Sequence, residues 1–232
     1  MTKEKSPLLA VLIDADNSSP RWASAVFDEI ASLGEASVRR IYGDFSRGQM
    51  SGWNEKMPSM ALVPHHQPAN TVGKNSSDIA LVIDAMDLLH TGRFDGFVLV
   101  SSDSDFTRLA SRIREQGLDV YGIGERKTPE SFKKACKRFI FVENLIGEAE
   151  PKQNEKRDSP VKAAPLINSA MQAIDPEQEW FPLGLIGQTI LANHPDFDSR
   201  TYGSAKLSDL IQRAGRYDTR RTGNTVEVRR KD

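Results

Sequence analysis

An almost unbroken apolar run, Leu8-Leu-Ala-Val-Leu-Ile13, ends abruptly at Asp14. A short run of this kind reads as a strand buried on both faces. Ser19-Pro20 then reads as an N-cap and first helical position, and Trp22, Val26, Phe27 and Ile30 recur on one helical face up to Gly34. Extended and helical signals alternate from there. A strand at about 36–44 precedes a helix carrying Trp53, Met57 and Met60, and Ser77 to His90 is apolar nearly all round, which predicts a buried helix. A strand at 97–101, a helix at 105–116 stopped by Gly117, a strand at 118–123, a helix at 129–137 and a strand at 139–142 follow. This order predicts an α/β unit, a mostly parallel sheet with helices on both faces.

The pattern lapses over residues 148–165, where mixed charge and three prolines leave little to bury, so a flexible linker is expected there between a first domain at 1–147 and a second at 166–232. Helical signals resume at about 166–174, 183–191 and 204–214. Tyr217 to Arg221 and Thr225 to Arg230 then flank Gly223-Asn224 as a hairpin. Helices followed by a basic hairpin describe a small winged-helix unit, with Val226 and Val228 turned inward.

Charge changes this picture in one place. The whole chain has a net charge of −1, yet residues 200–232 hold nine Lys or Arg against four acids, so nucleic-acid contact would be local to that end. Lys206, Arg213, Arg216, Arg220, Arg221, Arg229 and Arg230 are the available phosphate contacts there. Tyr202 and Tyr217 read first as core residues and second as base-stacking groups. The lone Cys136 excludes an intramolecular disulfide framework and points to a reducing cytosol. No apolar run is long enough for a membrane span, and the residues from Met1 to Pro7 do not form the apolar core of a signal peptide.

The candidate chemistry is acidic. Asp14 closes the first strand, Asp103 and Asp105 follow the strand at 97–101, and Asp78 lies in the first turn of the apolar helix. Open α/β sheets bind ligands outside the carboxyl ends of their strands. Each acid alone has a plain structural reading; Asp105, for instance, could cap its helix. Together they have a different one: two carboxylates about 4 Å apart repel by roughly 4 kcal/mol at an effective dielectric near 20, so four at one rim require a cation or protons. Oxygen donors without a Cys/His cluster favour a hard ion, Mg2+ or Mn2+.

Three phrases carry a resemblance: Ile13-Asp-Ala-Asp-Asn17, Lys74-Asn-Ser-Ser-Asp78 continuing to Leu89, and Val100-Ser-Ser-Asp103-Ser-Asp105-Phe106. With Tyr121-Gly-Ile-Gly-Glu-Arg-Lys-Thr-Pro-Glu-Ser131 they resemble the NYN domain, LabA-like branch, of the PIN-like nucleases over about 8–147. The resemblance implies a Rossmann-like sheet and metal-dependent ribonuclease chemistry, with Asp14, Asp78, Asp103 and Asp105 as the acidic centre and Asn17 as a neutral oxygen donor beside it. Asp14 and Asp103 are expected on the principal ion, and Lys74 is the candidate for a substrate phosphate. Trp180 to Gly187, Pro195 to Asp198, Tyr202 to Leu210 and Gly223 to Val228 likewise resemble the LOTUS domain, also called OST-HTH, which implies an RNA-binding winged helix.

The expectation is a cytoplasmic, metal-dependent ribonuclease with a tethered RNA-binding module. RNA is the expected partner, no protein partner is indicated, and a homo-oligomer stays open. An RNA-binding adaptor with a relic acidic site is the alternative, and an aspartate-nucleophile phosphatase built on Asp14-Ala-Asp16 a third reading. His65-His66 diverges in a strand and is not expected to hold a metal, and Gly122-Ile-Gly124 reads as a strand-to-helix turn. Asp84 and Asp87 are expected in structural pairs, and Arg108, Arg112 and Arg114 on a solvated helix face.

Overall fold

The structure, a computed structural model, describes residues 6–46, 48–66, 76–145 and 158–231. The chain divides into two compact units, residues 1–147 and 148–232. In the first, β1 (Leu8–Asp14) leads through a 3-10 turn at Pro20–Trp22 into α1 (Ala23–Leu33), β2 (Glu35–Gly43), α2 (Ser51–Lys56), β3 (Val63–His66) and α3 (Ser76–His90). Then come β4 (Gly96–Val100), α4 (Thr107–Glu115), β5 (Asp119–Gly124), α5 (Glu130–Ala135) and β6 (Arg138–Phe141). Six strands form one sheet in the order β3-β2-β1-β4-β5-β6, and every neighbouring pair is parallel. The α/β expectation therefore holds, and the strand order is the Rossmann one.

Both sheet faces are covered, and alternation sorts the central strands between them. Ala10, Leu12, Phe97 and Leu99 pack with Leu81 and Ala85 of α3 and with α4, while Leu9, Val11, Ile13, Val98 and Val100 pack with Trp22, Val26 and Ile30 on the α1 side. The expected burial of α3 holds on one side only. Ile79 and Ile83 are 60% and 58% exposed. The helix lies on the sheet through Leu81, Ala85, Leu88 and Leu89, and its outward crest keeps these two isoleucines despite its position in solvent.

The second unit begins earlier than expected. Residues 148–157 of the expected linker lie outside the described residues, but its end, 158–165, is ordered: Pro160–Ala163 forms a 3-10 turn that runs into α6 (Ala164–Ile174). Pro160 is the first residue of the 3-10 turn and Pro165 the second of α6, positions in a first turn where a missing N–H costs nothing, and Ala163 and Ala164 are buried in the local core. Then follow β7 (Phe181–Pro182), α7 (Leu183–Asn193), α8 (Leu207–Ala214), β8 (Tyr217–Thr222) and β9 (Thr225–Arg230). The three strands pair antiparallel in the order β7-β9-β8. Gly223 has φ +60°, the left-handed conformation that the tight hairpin turn requires. Ile167, Ile186, Leu210, Ile211, Tyr217 and Val228 form the core, so the expected winged-helix plan of helices and hairpin is present. Tyr217 is a core residue whose hydroxyl donates to Ala164 O at 3.3 Å.

Candidate metal centre

The sheet order reverses between β1 and β4: from β1 the chain steps outward to β2 and β3, then crosses to β4 and moves outward through β5 and β6. Their diverging connections open a crevice at the carboxyl ends of the strands. Asp14 is the last residue of β1, and Ser101, Ser102 and Asp103 directly follow β4. Packing of Leu81 and Ala85 against Ala10 and Leu12 sets the first turn of α3, with Asp78, beside them.

Asp14 is 1% exposed, and both its carboxylate oxygens are engaged. Oδ1 accepts from the amides of Asp16 (3.0 Å) and Asn17 (3.1 Å), and Oδ2 accepts from Ser101 Oγ (2.7 Å). Burial pushes its carboxyl above the ordinary aspartate range, hydrogen bonds from Ser101 and Asn17 pull it back, and the charge of Asp16 adds to the rise. Ser101 Oγ also accepts from Asp103 N at 3.0 Å, and Asp103 Oδ1 accepts from Asp105 N at 2.9 Å. Asp103, not Asp105, thus caps the turn that opens into α4.

Asp78, Asp103 and Asp105 converge. Each offers an oxygen within 4.8 Å of the others, the one such group of acidic, histidine or cysteine side chains among the described residues. Asp78 and Asp103 are half-buried and Asp105 is exposed, so the cluster opens to solvent. The Asp78 carboxyl is pushed up to about 6, first by burial and then by the charges of Asp14, Asp103, Asp16 and Asp105. A carboxyl raised by four like charges marks a site where a cation is electrostatically favoured. Three convergent oxygens and no sulfur or imidazole suit a hard divalent ion.

Asp14 stands outside this close trio, which it reaches through Ser101 and through its charge on Asp78. Asn17 is exposed and bonds to Asp14. Asp16 Oδ2 accepts from Ser77 Oγ at 3.0 Å and so ties the β1 loop to α3. Trp53, buried in the core, braces the same loop by donating from Nε1 to Ser18 O at 3.3 Å. Lys74 lies outside the described residues. Asp84 is paired, with Arg40 and the Tyr42 hydroxyl both donating to it, while Asp87 is exposed. His65 packs against Tyr42 in a tilted contact with ring centroids 5.0 Å apart, and His66 accepts from Phe45 N at 3.2 Å, so the two rings serve different neighbours. Gly122 and Gly124 serve packing: a Cβ at Gly124 would lie 2.5 Å from Ser101 O, and one at Gly122 would lie 2.5 Å from the Phe139 ring.

Arg112 pairs with Glu115, and Arg114 donates to Ala135 O at 3.4 Å, while Arg108 is exposed. The bases of the second unit fall into two groups. Arg213 donates to Gly203 O and Ser204 Oγ, Arg220 pairs with Glu227, and Arg229 pairs with Glu179 and Asp218. Lys206, Arg216, Arg221 and Arg230 are exposed.

Sequence reasoning missed Ser101, which is 2% exposed and links Asp14 to Asp103. Its signal is alternation: two residues beyond Leu99, it faces the α3 side of the sheet with Leu99.

Comparison with known proteins agrees with this architecture. Residues 8–143 match the NYN domain family, and residues 156–228 match the OST-HTH/LOTUS domain. Among solved structures, a protein of unknown function from Vibrio parahaemolyticus matches with a TM-score of 0.52 and 18% identity, over 63% of this chain and 99% of that one. At that identity the likeness concerns the fold alone. No curated protein matches the chain. Among the described residues no helix is long and apolar enough to cross a membrane.

Proposed function

Because the chain belongs to the NYN-domain family and carries an OST-HTH/LOTUS domain behind it, we propose that it is a divalent-metal-dependent ribonuclease whose second unit binds RNA. The observation that carries this reading is the convergence of Asp78, Asp103 and Asp105 at the strand-order reversal, with the Asp78 carboxyl raised to about 6 first by burial and then by the surrounding acids.

In this reading Asp78, Asp103 and Asp105 hold Mg2+ or Mn2+. Such an ion, when bound, supplies Lewis acidity: it lowers the pKa of water and offsets charge growing on a phosphodiester. Asp14, fixed by Ser101 and two backbone amides, keeps the β1 and β4 loops in register and adds negative charge to the pocket. Exposed Asp105 leaves the centre open to a polynucleotide from solvent. The second unit raises the local RNA concentration at this crevice. The lone, buried Cys136 is compatible with a reducing cytosol. A phosphatase with Asp14 as nucleophile is disfavoured, since both oxygens of that carboxylate are occupied and buried.

The test is cleavage of labelled RNA by the full chain. Products are expected with Mg2+ or Mn2+ and none in EDTA, and Asp103→Asn should lower the rate at least about a hundredfold. Full RNA affinity in EDTA, with no product in either ion, would make the protein an adaptor instead.

A further inference from the structure

The outward face of the small sheet holds a layered arrangement that catalysis does not use. Trp180 lies just before β7, and alternation turns it away from the core that Phe181 and Val228 enter. Two guanidinium groups rest on its ring: Arg220 Cζ lies 4.1 Å from the ring centroid and Arg229 Cζ 4.9 Å. Each is fixed from the side by carboxylates. Arg220 Nε donates to Glu227 Oε2 at 2.7 Å, which Thr222 Oγ1 also approaches at 2.9 Å, and Arg229 bonds to Asp218 at 3.0 Å and to Glu179. Arg229 Nε is buried with no hydrogen-bond partner among the described residues, as expected of an N–H pressed against an aromatic face.

Charge on this face is balanced against RNA. Two arginines meet three carboxylates, Glu179, Asp218 and Glu227, so the face attracts phosphate weakly. A planar group held 4.1 Å over an indole and still half exposed has another use: the side chain of Arg220 keeps 50% of its surface open to solvent. Unpaired bases stack on arginine planes as they do on aromatic rings, and a guanidinium already immobilised loses little entropy on doing so.

Resting on the reading that the second unit binds RNA, we infer that this face is a stacking platform for an unpaired nucleobase, with Arg220 between the base and Trp180. It recognises a single-stranded segment through its bases, and the exposed bases Lys206, Arg216, Arg221 and Arg230 supply the salt-sensitive attraction to phosphates. Arginine at 220 is required here for its plane more than for its charge.

Arg220→Lys separates the two, because lysine keeps the charge and loses the plane. Fluorescence anisotropy would compare the full chain with and without this change, both in an Asp103→Asn background that blocks cleavage. The probes are a single-stranded RNA and a sugar-phosphate strand of equal length without bases. Arg220→Lys should weaken RNA binding roughly tenfold to a hundredfold, leave the salt dependence as it was, and leave binding of the baseless strand unchanged. RNA affinity equal to that of the parent, or an equal loss on both strands, overturns the platform while the RNA-binding reading stands. A parent protein that binds neither strand overturns both.

Discussion

Ser101 Oγ donates a hydrogen bond to Asp14 Oδ2 at 2.7 Å across the boundary between β1 and β4, and the same oxygen accepts the Asp103 amide at 3.0 Å. One buried hydroxyl thus couples the carboxylate that ends β1 to the loop that carries Asp103 and Asp105. Ser101→Ala leaves Asp14 Oδ2 without this donor in a buried setting, at a cost of about 1–3 kcal/mol. It should lower metal-dependent cleavage roughly tenfold to a hundredfold, and Ser101→Thr, which keeps the donor, should recover part of it. Cleavage by the alanine variant at the parental rate would remove Ser101 from the account.

Asp78 binds a proton more readily in the folded chain than when unfolded, because its carboxyl is raised to about 6 from an ordinary 3.8. The folded state therefore holds more protons between these values, and without a cation Asp78 makes stability fall as pH rises through that window. Asp78→Asn should melt higher than the parent at pH 7 in EDTA, by a few degrees for about 1 kcal/mol after solvent screening, and equally at pH 4. Mn2+ should raise the melting temperature of the parent and not of the variant. Apparent Mn2+ affinity should climb as pH passes about 6. Identical melting profiles in EDTA would show that the carboxylates do not repel as described.

Asp84 sits on the same helix as Asp78 but stabilises the fold. It accepts from both Arg40 and the buried Tyr42 hydroxyl, whose pKa burial and this carboxylate hold far above the ordinary tyrosine range. Asp84→Ala should cost about 2–4 kcal/mol by leaving both donors unmatched. Its cleavage rate per folded molecule should stay within about twofold of the parent. A melt unchanged alongside a collapse in activity would move Asp84 into the catalytic centre.

Exposed bases of the second unit should differ from the engaged ones. Replacing Arg221 or Arg230 by Ala should reduce the salt dependence of RNA affinity by about one phosphate contact each. Arg213→Ala, which removes donors to Gly203 O and Ser204, should act mainly on stability. Anisotropy titrations at two salt concentrations, alongside thermal melts, separate the two effects. Equal salt slopes for parent and Arg221→Ala would contradict the assignment.

The strands β1 and β4 were readable because their apolar residues run without interruption, and Asp14, Asp103 and Asp105 were readable because they end those runs. β3 was not, since Val63-Pro-His-His66 has neither alternation nor an apolar run, and its proline is tolerated only because the strand is at the sheet edge. Asp78 could be placed on its helix from the residue pattern, but beside Asp103 only through the family resemblance, because that proximity depends on how α3 docks on β1. The separation of Asp14 from the close trio follows from its burial and its bonds to Ser101 and two amides, which local sequence does not encode.

The central claim is that Asp78, Asp103 and Asp105 jointly hold a divalent cation. Anomalous diffraction from crystals grown with Mn2+ at neutral pH tests it most directly. The account predicts a manganese peak at coordination distance from carboxylate oxygens of all three residues. A map without density there, from protein whose RNA cleavage nonetheless requires Mn2+, would contradict it.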